Sequence, residues 1–138
     1  MHGDSDTHHR TADAPAHAPV ILIVEDNPVN QQVTLRMLMQ LGYQADVAGD
    51  GMEAILATES REYAAILMDC HMPGMDGLTA TRWIRGIEVE GSRLPIIALT
   101  ASTRPDDRST CLAAGMDDYL SKPVRAHELA LVLDRWIR

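Results

Sequence analysis

The sequence is short of three features that would each point to a particular class of protein. It has only two cysteines, Cys70 and Cys111, and no secretory signal precedes them, so we expect reduced thiols rather than a disulfide framework or a zinc site. Its longest apolar runs, such as residues 20–24, are too short to span a bilayer. Basic residues number 12 against 20 acidic ones, which gives a formal net charge of −8. That balance argues against a nucleic-acid surface and favours metal cations or basic protein patches as partners.

Length and composition predict one compact domain. The 138 residues, 46% of them hydrophobic, can bury one good core but not two. Residues 1–19 have no apolar periodicity, so we interpret them as a disordered linker or an expression remnant, and we place the folded domain at residues 20–138. The four histidines of the first segment are irregularly spaced, and we assign them no metal.

From residue 20 onward, short apolar runs alternate with segments of helical periodicity. The predicted strands cover residues 20–24, 44–48, 65–68, 96–100 and 119–121, and the predicted helices cover 28–41, a segment capped by Asp50, 78–84, 105–114 and 126–137. Continuous apolar strands separated by amphipathic helices are typical of an α/β fold in which a parallel sheet is covered on both faces. Ligands of such folds bind at the carboxyl ends of the strands.

Polar residues collect where these strands end. Glu25 and Asp26 follow the first strand, Asp69 follows the third, Thr100 closes the fourth and Lys122 follows the fifth. Taken singly, the acids could be turn or cap residues, the threonine a strand residue and the lysine a solvated charge. Taken together, three converging carboxylates would repel one another unless a divalent ion or the lysine ammonium compensates them. The cluster therefore predicts a site for Mg²⁺ and an anionic ligand.

Four motifs in order along the chain resemble the receiver domain of two-component response regulators. They are VEDN at 24–27, MDCHMPGMDG at 68–77, LTA at 99–101 and SKP at 121–123, and the resemblance spans about residues 20–138. It implies a flavodoxin-like (βα)5 fold, a doubly wound parallel sheet of five strands in the order 2-1-3-4-5.

The resemblance also implies a role for each rim residue. Asp69 would be the phosphoacceptor, and Glu25, Asp26 and Asp69 would be metal ligands, with Glu25 acting through a water molecule. The main-chain carbonyl of His71 would complete the protein's share of the shell around Mg²⁺, for which Mn²⁺ is an alternative.

Lys122, the Thr100 hydroxyl and the Ala101 amide would bind the phosphoryl oxygens. Thr100 and Tyr119 would form a switch in which the tyrosine rotates inward, although Tyr119 could equally be a half-buried strand aromatic. The bond between Lys122 and Pro123 would be cis, with a plain trans strand terminator as the alternative.

The resemblance implies a signalling module that catalyses its own phosphorylation and dephosphorylation. Asp69 would accept a phosphoryl group from a phosphohistidine, in an Mg²⁺-dependent reaction, and would thereby switch a protein-interaction surface. The partner would be a histidine kinase or a histidine phosphotransfer domain, without contact to nucleic acid or membrane. We assign no phosphoryl lifetime from His71 and Ser102, and no oligomeric state.

The start of the domain, VEDNPVNQQV, resembles receivers of hybrid histidine kinases. The chain stops after the fifth helix, so we expect no output domain and favour the C-terminal receiver of a hybrid kinase, with a stand-alone regulator as the alternative. The expected location is the cytoplasm, including the cytoplasmic part of a membrane-bound sensor kinase. Asn30 and Thr34 of the first helix are predicted to line the contact with a phosphotransfer partner.

Two rival functions remain open from the residues. A small phosphatase with Asp69 as nucleophile would resemble haloacid dehalogenases, but these have a second acid where this sequence has His71, and no cap insertion is present. A flavodoxin-like cofactor module would need a phosphate loop after the first strand, where Glu25 and Asp26 would repel phosphate.

Overall fold

The structure is a computed structural model that describes residues 18–72, 74–101 and 104–137. The predicted linker as far as residue 17, and Ser102, lie outside the described residues. The proposed domain boundary and the part played by Ser102 therefore stay predictions.

Strands and helices alternate along the described chain as the periodicity predicts. In chain order they are β1 (Val20–Val24), α1 (Pro28–Gln40), β2 (Gln44–Ala48), α2 (Gly51–Ser60), β3 (Ala65–Asp69), α3 (Gly77–Ile87), β4 (Ile96–Thr100), α4 (Pro105–Ala114), β5 (Asp118–Ser121) and α5 (Ala126–Trp136). The five strands pair in parallel in the order β2-β1-β3-β4-β5. The predicted fold class and strand order are both confirmed.

Local chemistry sets most helix boundaries. The Asn27 side chain accepts hydrogen bonds from the second and third amides after it, and Pro28 occupies the first helical position, where its missing N–H costs nothing. Asp50 caps α2 in the same way. Helix α4 ends at Gly115, whose φ of 111° is open to glycine but strained for other residues.

The sheet is buried on both faces, which explains why its strands are continuously apolar. Alternate residues of each strand point to opposite sides. One side packs against α2, α3 and α4 and includes Leu22, Ile66, Met68, Ile96, Ala98, Ala54, Ile84 and Cys111. The other packs against α1 and α5 and includes Ile21, Ile23, Leu67, Ile97, Leu38, Leu129 and Leu133. Each fully buried aliphatic side chain stabilises the fold by about 1.5–3 kcal/mol relative to exposure.

Helix α3 runs longer than the apolar pattern predicts, from Gly77 to Ile87 rather than from 78 to 84. The extra turn is held by Arg85, whose Nε donates to the carbonyl of Gly115 at 2.8 Å and whose guanidinium pairs with Glu88 and Asp117 at 2.7 and 2.6 Å. Polar contacts to the loop between α4 and β5 thus stabilise the last turn of α3, which lies beyond the apolar residues that predicted the helix.

Candidate functional site

Parallel pairing brings the predicted rim residues to one edge of the sheet. Asp69 is the last residue of the central strand β3, pairs with Leu99 of β4, and is 1% exposed. Glu25 comes directly after β1, where its amide donates to the Ala48 carbonyl of β2 at 3.1 Å, and it is 3% exposed. Two carboxylates are thus buried at the carboxyl ends of neighbouring strands.

Lys122, the only lysine in the sequence, reaches both buried acids from the end of β5. Its Nζ lies 2.8 Å from Asp69 Oδ2 and 3.5 Å from Glu25 Oε1. Burial lowers the pKa of Lys122, but the hydrogen bond to Asp69 and the two negative charges outweigh burial, so the pKa lies above its ordinary value. The side chain is therefore a fixed ammonium aimed at the carboxylates.

Asp26 completes a group of three acids that could hold a metal ion. One carboxylate oxygen each from Glu25, Asp26 and Asp69 lies within 4.8 Å of the others, and among the described residues no other such group occurs. Asp26 is exposed, so the cluster opens to solvent on one side. With all three acids ionised, the one ammonium leaves two negative charges uncompensated. An all-oxygen set with that excess suits a hard divalent cation.

Two further hydrogen bonds hold the loop that carries Glu25 and Asp26. The Asn27 amide donates to Glu25 Oε2 at 3.2 Å, and the Gln31 side chain donates to the Glu25 carbonyl at 2.6 Å. Burial raises the pKa of Glu25, the Asn27 amide offsets part of this rise, and the charge of Asp69 adds to it. The contribution of Gln31 was not predicted, because nothing in helical periodicity marks a side chain that reaches back to a strand end.

The remaining predicted residues gather at the same rim. Thr100 ends β4, is 4% exposed, and its carbonyl accepts from the Lys122 amide at 2.8 Å. Ala101 follows and is exposed. The bond between Lys122 and Pro123 is cis, as the resemblance implies. His71 is exposed, and its main-chain amide donates to Asp69 Oδ1 at 3.0 Å.

Tyr119 of β5 is half-buried, and the guanidinium carbon of Arg108 lies 5.0 Å from the centre of its ring. That separation is in the range of a cation–π contact. The tyrosine thus packs against α4 one strand away from Thr100, its predicted partner in the switch.

Thr34, predicted to line the docking contact, is buried in the structure. This side chain is 5% exposed and lines a cavity of about 70 Å³ together with Glu25, Asn30, Lys122 and other residues of the rim. Val33, one position earlier, is 46% exposed. A helix turns by about 100° per residue, so α1 directs Thr34 to the interior and Val33 to the surface.

The sequence matches the response regulator receiver domain family over residues 21–134. The chain belongs to this receiver family. It is 47% identical over 118 residues to the hybrid signal transduction protein dokA of Dictyostelium discoideum, covering 86% of this chain and 7% of that protein. It is 40% identical over 123 residues to the sensor protein GacS of Pseudomonas syringae pv. syringae, covering 88% of the chain and 14% of GacS. The receiver therefore spans only a small fraction of the curated relatives that it matches.

Solved receivers share the fold. The receiver domain of the sensor histidine kinase PA1611 from Pseudomonas aeruginosa, which has a magnesium ion coordinated in its active site cleft, is 51% identical and has a TM-score of 0.79; the match covers 86% of this chain and 97% of that one. The receiver domain of the Saccharomyces cerevisiae response regulator Ssk1, in complex with the histidine phosphotransfer protein Ypd1, is 30% identical with a TM-score of 0.81, covering 86% and 88% of the two chains. This receiver is therefore a module of two-component phosphorelay signalling.

Within residues 18–72, 74–101 and 104–137, no helix is both long and apolar enough to cross a bilayer.

Proposed function

We propose that Asp69 accepts a phosphoryl group from a phosphohistidine. The observation that carries this proposal is the Asp69 carboxylate at the end of the central strand, 2.8 Å from the only lysine and grouped with two further acids. An Asp69 oxygen attacks phosphorus, and the phosphorus–nitrogen bond of the donor breaks with its electron pair returning to nitrogen. An acyl phosphate forms, and the leaving histidine is neutral because it keeps the proton on its other ring nitrogen. A carboxylate nucleophile carries no proton that a general base would have to remove.

Glu25, Asp26, Asp69 and the main-chain carbonyl of His71 are the proposed ligands of Mg²⁺, with Glu25 acting through water. The all-oxygen character of the acidic cluster supports this choice. When bound, the ion offsets negative charge on the attacking carboxylate and on the phosphoryl oxygens. Asp26 is the ligand best placed to admit the ion, because it is the exposed member of the group.

Lys122, Thr100 and Ala101 are the proposed phosphoryl-binding residues. Lys122 already holds an ammonium beside Asp69 Oδ2, so it can follow the negative charge onto a phosphoryl oxygen. Thr100 and Ala101 end the neighbouring strand and can donate a hydroxyl and an amide to the remaining oxygens. The Lys122 ammonium is in place before the reaction, which lowers the cost of organising it during the reaction.

Thr100 and Tyr119 are the proposed switch. A Thr100 side chain turned toward the phosphoryl group would leave space that Tyr119 could enter from its half-buried position. Rotation of the ring would break its contact with Arg108 and so alter the surface of α4 and β5. Phosphorylation would thereby change which protein surface is presented.

We further propose that this receiver belongs to a hybrid histidine kinase in the cytoplasm and accepts its phosphoryl group from a kinase or phosphotransfer domain. Support comes from relatives that are hybrid signal transduction histidine kinases, and from the solved pair of a receiver with a phosphotransfer protein. A stand-alone regulator is the alternative. A small phosphatase is not favoured, because the relatives are signalling proteins.

A labelling experiment separates a receiver from a phosphatase. The protein is incubated with Mg²⁺ and a small acyl phosphate, and intact mass is followed beside released phosphate. A receiver gains one phosphoryl group per chain, because its own carboxylate is the acceptor. Rapid repeated turnover of the donor, without phosphorylated protein, would contradict the proposal.

Replacing Asp26 with alanine is expected to weaken Mg²⁺ binding at least about tenfold, because one of the few direct carboxylate ligands is lost. Isothermal titration with Mg²⁺ and with Mn²⁺ measures the affinity without any phosphate donor. Asp134→Ala removes an exposed carboxylate of α5 instead and should leave the affinity unchanged. Wild-type affinity in the Asp26 variant would show that the ion, if bound, lies elsewhere.

The docking face is proposed to be the exposed side of α1, next to the site. Asn30 and Val33 are exposed and border the cavity that also contains Glu25 and Lys122, and Val29 is 69% exposed on the same helix. Bulky charges at these positions should slow labelling by a protein donor about tenfold or more, since they would disrupt the centre of the contact.

The test compares the double variant Asn30→Glu and Val33→Glu with the double variant Leu56→Glu and Leu131→Glu, which adds the same two charges on exposed apolar residues of α2 and α5. Labelling by the protein donor is measured beside labelling by the small acyl phosphate. Loss of only the protein-donor reaction is the expected result. If both reactions fall together, the site itself is damaged, and if neither falls, α1 is not the docking face.

A further inference from the structure

Cys70 and Cys111 form a close pair of free thiols that the phosphoryl chemistry does not use. Cys70 directly follows Asp69, and Cys111 lies on α4, 41 positions later. Their sulfur atoms are 3.5 Å apart, and the residues are 3% and 5% exposed. Two free thiols in contact, on separate elements, could be oxidised together.

The two sulfurs stand on elements of different rigidity. The Cys70 amide donates to the Leu99 carbonyl at 3.1 Å, which ties Cys70 to the central strands. Helix α4 is not part of the sheet and packs on it through side chains such as Cys111 itself. Where backbone has to move to bring the sulfurs together, α4 therefore moves rather than the end of β3.

We propose that hydrogen peroxide converts Cys70 and Cys111 into an intramolecular disulfide that clamps α4 to the end of β3. A disulfide bond is about 2.05 Å long, so the sulfurs have to approach by about 1.5 Å from their present separation. A shift of that size lies within reach of side-chain rotation combined with a small movement of the helix.

The reaction balances in two steps. One thiol loses its proton and attacks a peroxide oxygen, the oxygen–oxygen bond breaks, and a sulfenic acid and one water form. The second thiol loses its proton and attacks the sulfenic sulfur, the sulfur–oxygen bond breaks, the disulfide forms and a second water leaves. Two thiols give up two electrons and two protons, and one peroxide is reduced to two waters.

Burial also sets when the pair can react. Both residues are buried, so peroxide has little access to their sulfurs while α4 is closed. Oxidation therefore proceeds through a local opening of α4, and the finished disulfide suppresses that same opening.

The clamp would act on the element that contacts Tyr119. Arg108, three residues before Cys111 on α4, lies over the tyrosine ring. Asp69 keeps its place because the Cys70 backbone is fixed in the sheet. The oxidised receiver retains its phosphoacceptor site while α4 loses its freedom to move.

The test uses the intact chain and requires no phosphate. Reduced protein is treated with hydrogen peroxide, blocked with an alkylating agent and digested with trypsin without reductant. The expected product is a disulfide between peptides 62–82 and 109–125, which a reductant reverses. Amide hydrogen exchange across α4 should slow about tenfold after oxidation. In Cys111→Ser, peroxide should leave the exchange of α4 unchanged.

Several results would overturn the clamp. They are thiols that survive peroxide in the folded protein, oxidation to sulfinic acid without a linked peptide, linkage only between two chains, and a linked peptide with unchanged exchange across α4. Methionine oxidation adds oxygen to a peptide rather than joining two, so it cannot be mistaken for the product. Failure of Asp69 to take up phosphate would leave this result unaffected.

Discussion

Replacing Asp69 with asparagine is expected to reduce self-labelling by an acyl phosphate by at least about 1,000-fold while the protein stays folded. The amide keeps the shape of the carboxylate but removes the nucleophilic oxygen. The side chain is buried between the His71 amide at 3.0 Å and the Lys122 ammonium at 2.8 Å, and asparagine offers only one oxygen to these two donors. Lys122 keeps a second acid, Glu25, at 3.5 Å, so loss of one contact should not unfold the domain.

Asp46→Asn is the matched control, because Asp46 is also partly buried and ion-paired, with Arg61 at 2.9 Å, but lies outside the acidic cluster. It should be labelled at the wild-type rate. Labelling is measured by intact mass and folding by circular dichroism. Wild-type labelling of the Asp69 variant would mean that another group is the acceptor, and peptide mapping would then show whether Glu25 or Asp26 carries the phosphate.

The fold could be predicted almost entirely from local chemistry. Helix caps depend on only a few neighbouring residues, so they can be predicted from the sequence. Examples are Asn27 with Pro28 at the start of α1 and Gly115 at the end of α4. Buried parallel strands are equally legible, because they are apolar throughout. The order of the strands is different, since periodicity does not determine it, and it could be predicted only through the resemblance to receivers.

The gathering of the site residues at one rim could also be predicted from the sequence, because the carboxyl ends of parallel strands lie at the same edge of the sheet. What sequence could not supply was the rotation of each helix about its axis and the contacts that bridge distant segments. Thr34, predicted to line the docking contact, is buried, while Val33 beside it on α1 is exposed. Gln31 reaches back to Glu25, and Arg85 extends α3, through hydrogen bonds whose partners only the folded chain brings close.

Gly77 makes a further contact between distant segments, and its replacement is expected to have a large effect on stability. This residue begins α3 and lies against the end of β3, where a Cβ atom would collide with the carbonyl oxygen of Asp69 and approach Met68 Cγ to 2.9 Å. Backbone atoms cannot rotate away as a side chain can. Gly77→Ala must therefore push α3 off the strand or displace the Asp69 main chain, and we expect it to destabilise the fold by about 1–3 kcal/mol.

Gly86 provides the control within the same helix. A Cβ atom there meets nothing within 4 Å, so Gly86→Ala should stabilise α3, by up to about 1 kcal/mol, through its better helix propensity. Urea denaturation of the two variants should thus move the midpoint in opposite directions. Gly77→Ala should also slow self-labelling even where it remains folded, because the strain falls on the residue that carries the acceptor carboxylate. Equal stability of the two variants would show that the helix can move away from β3 without cost, and that Asp69 does not depend on the close approach of α3.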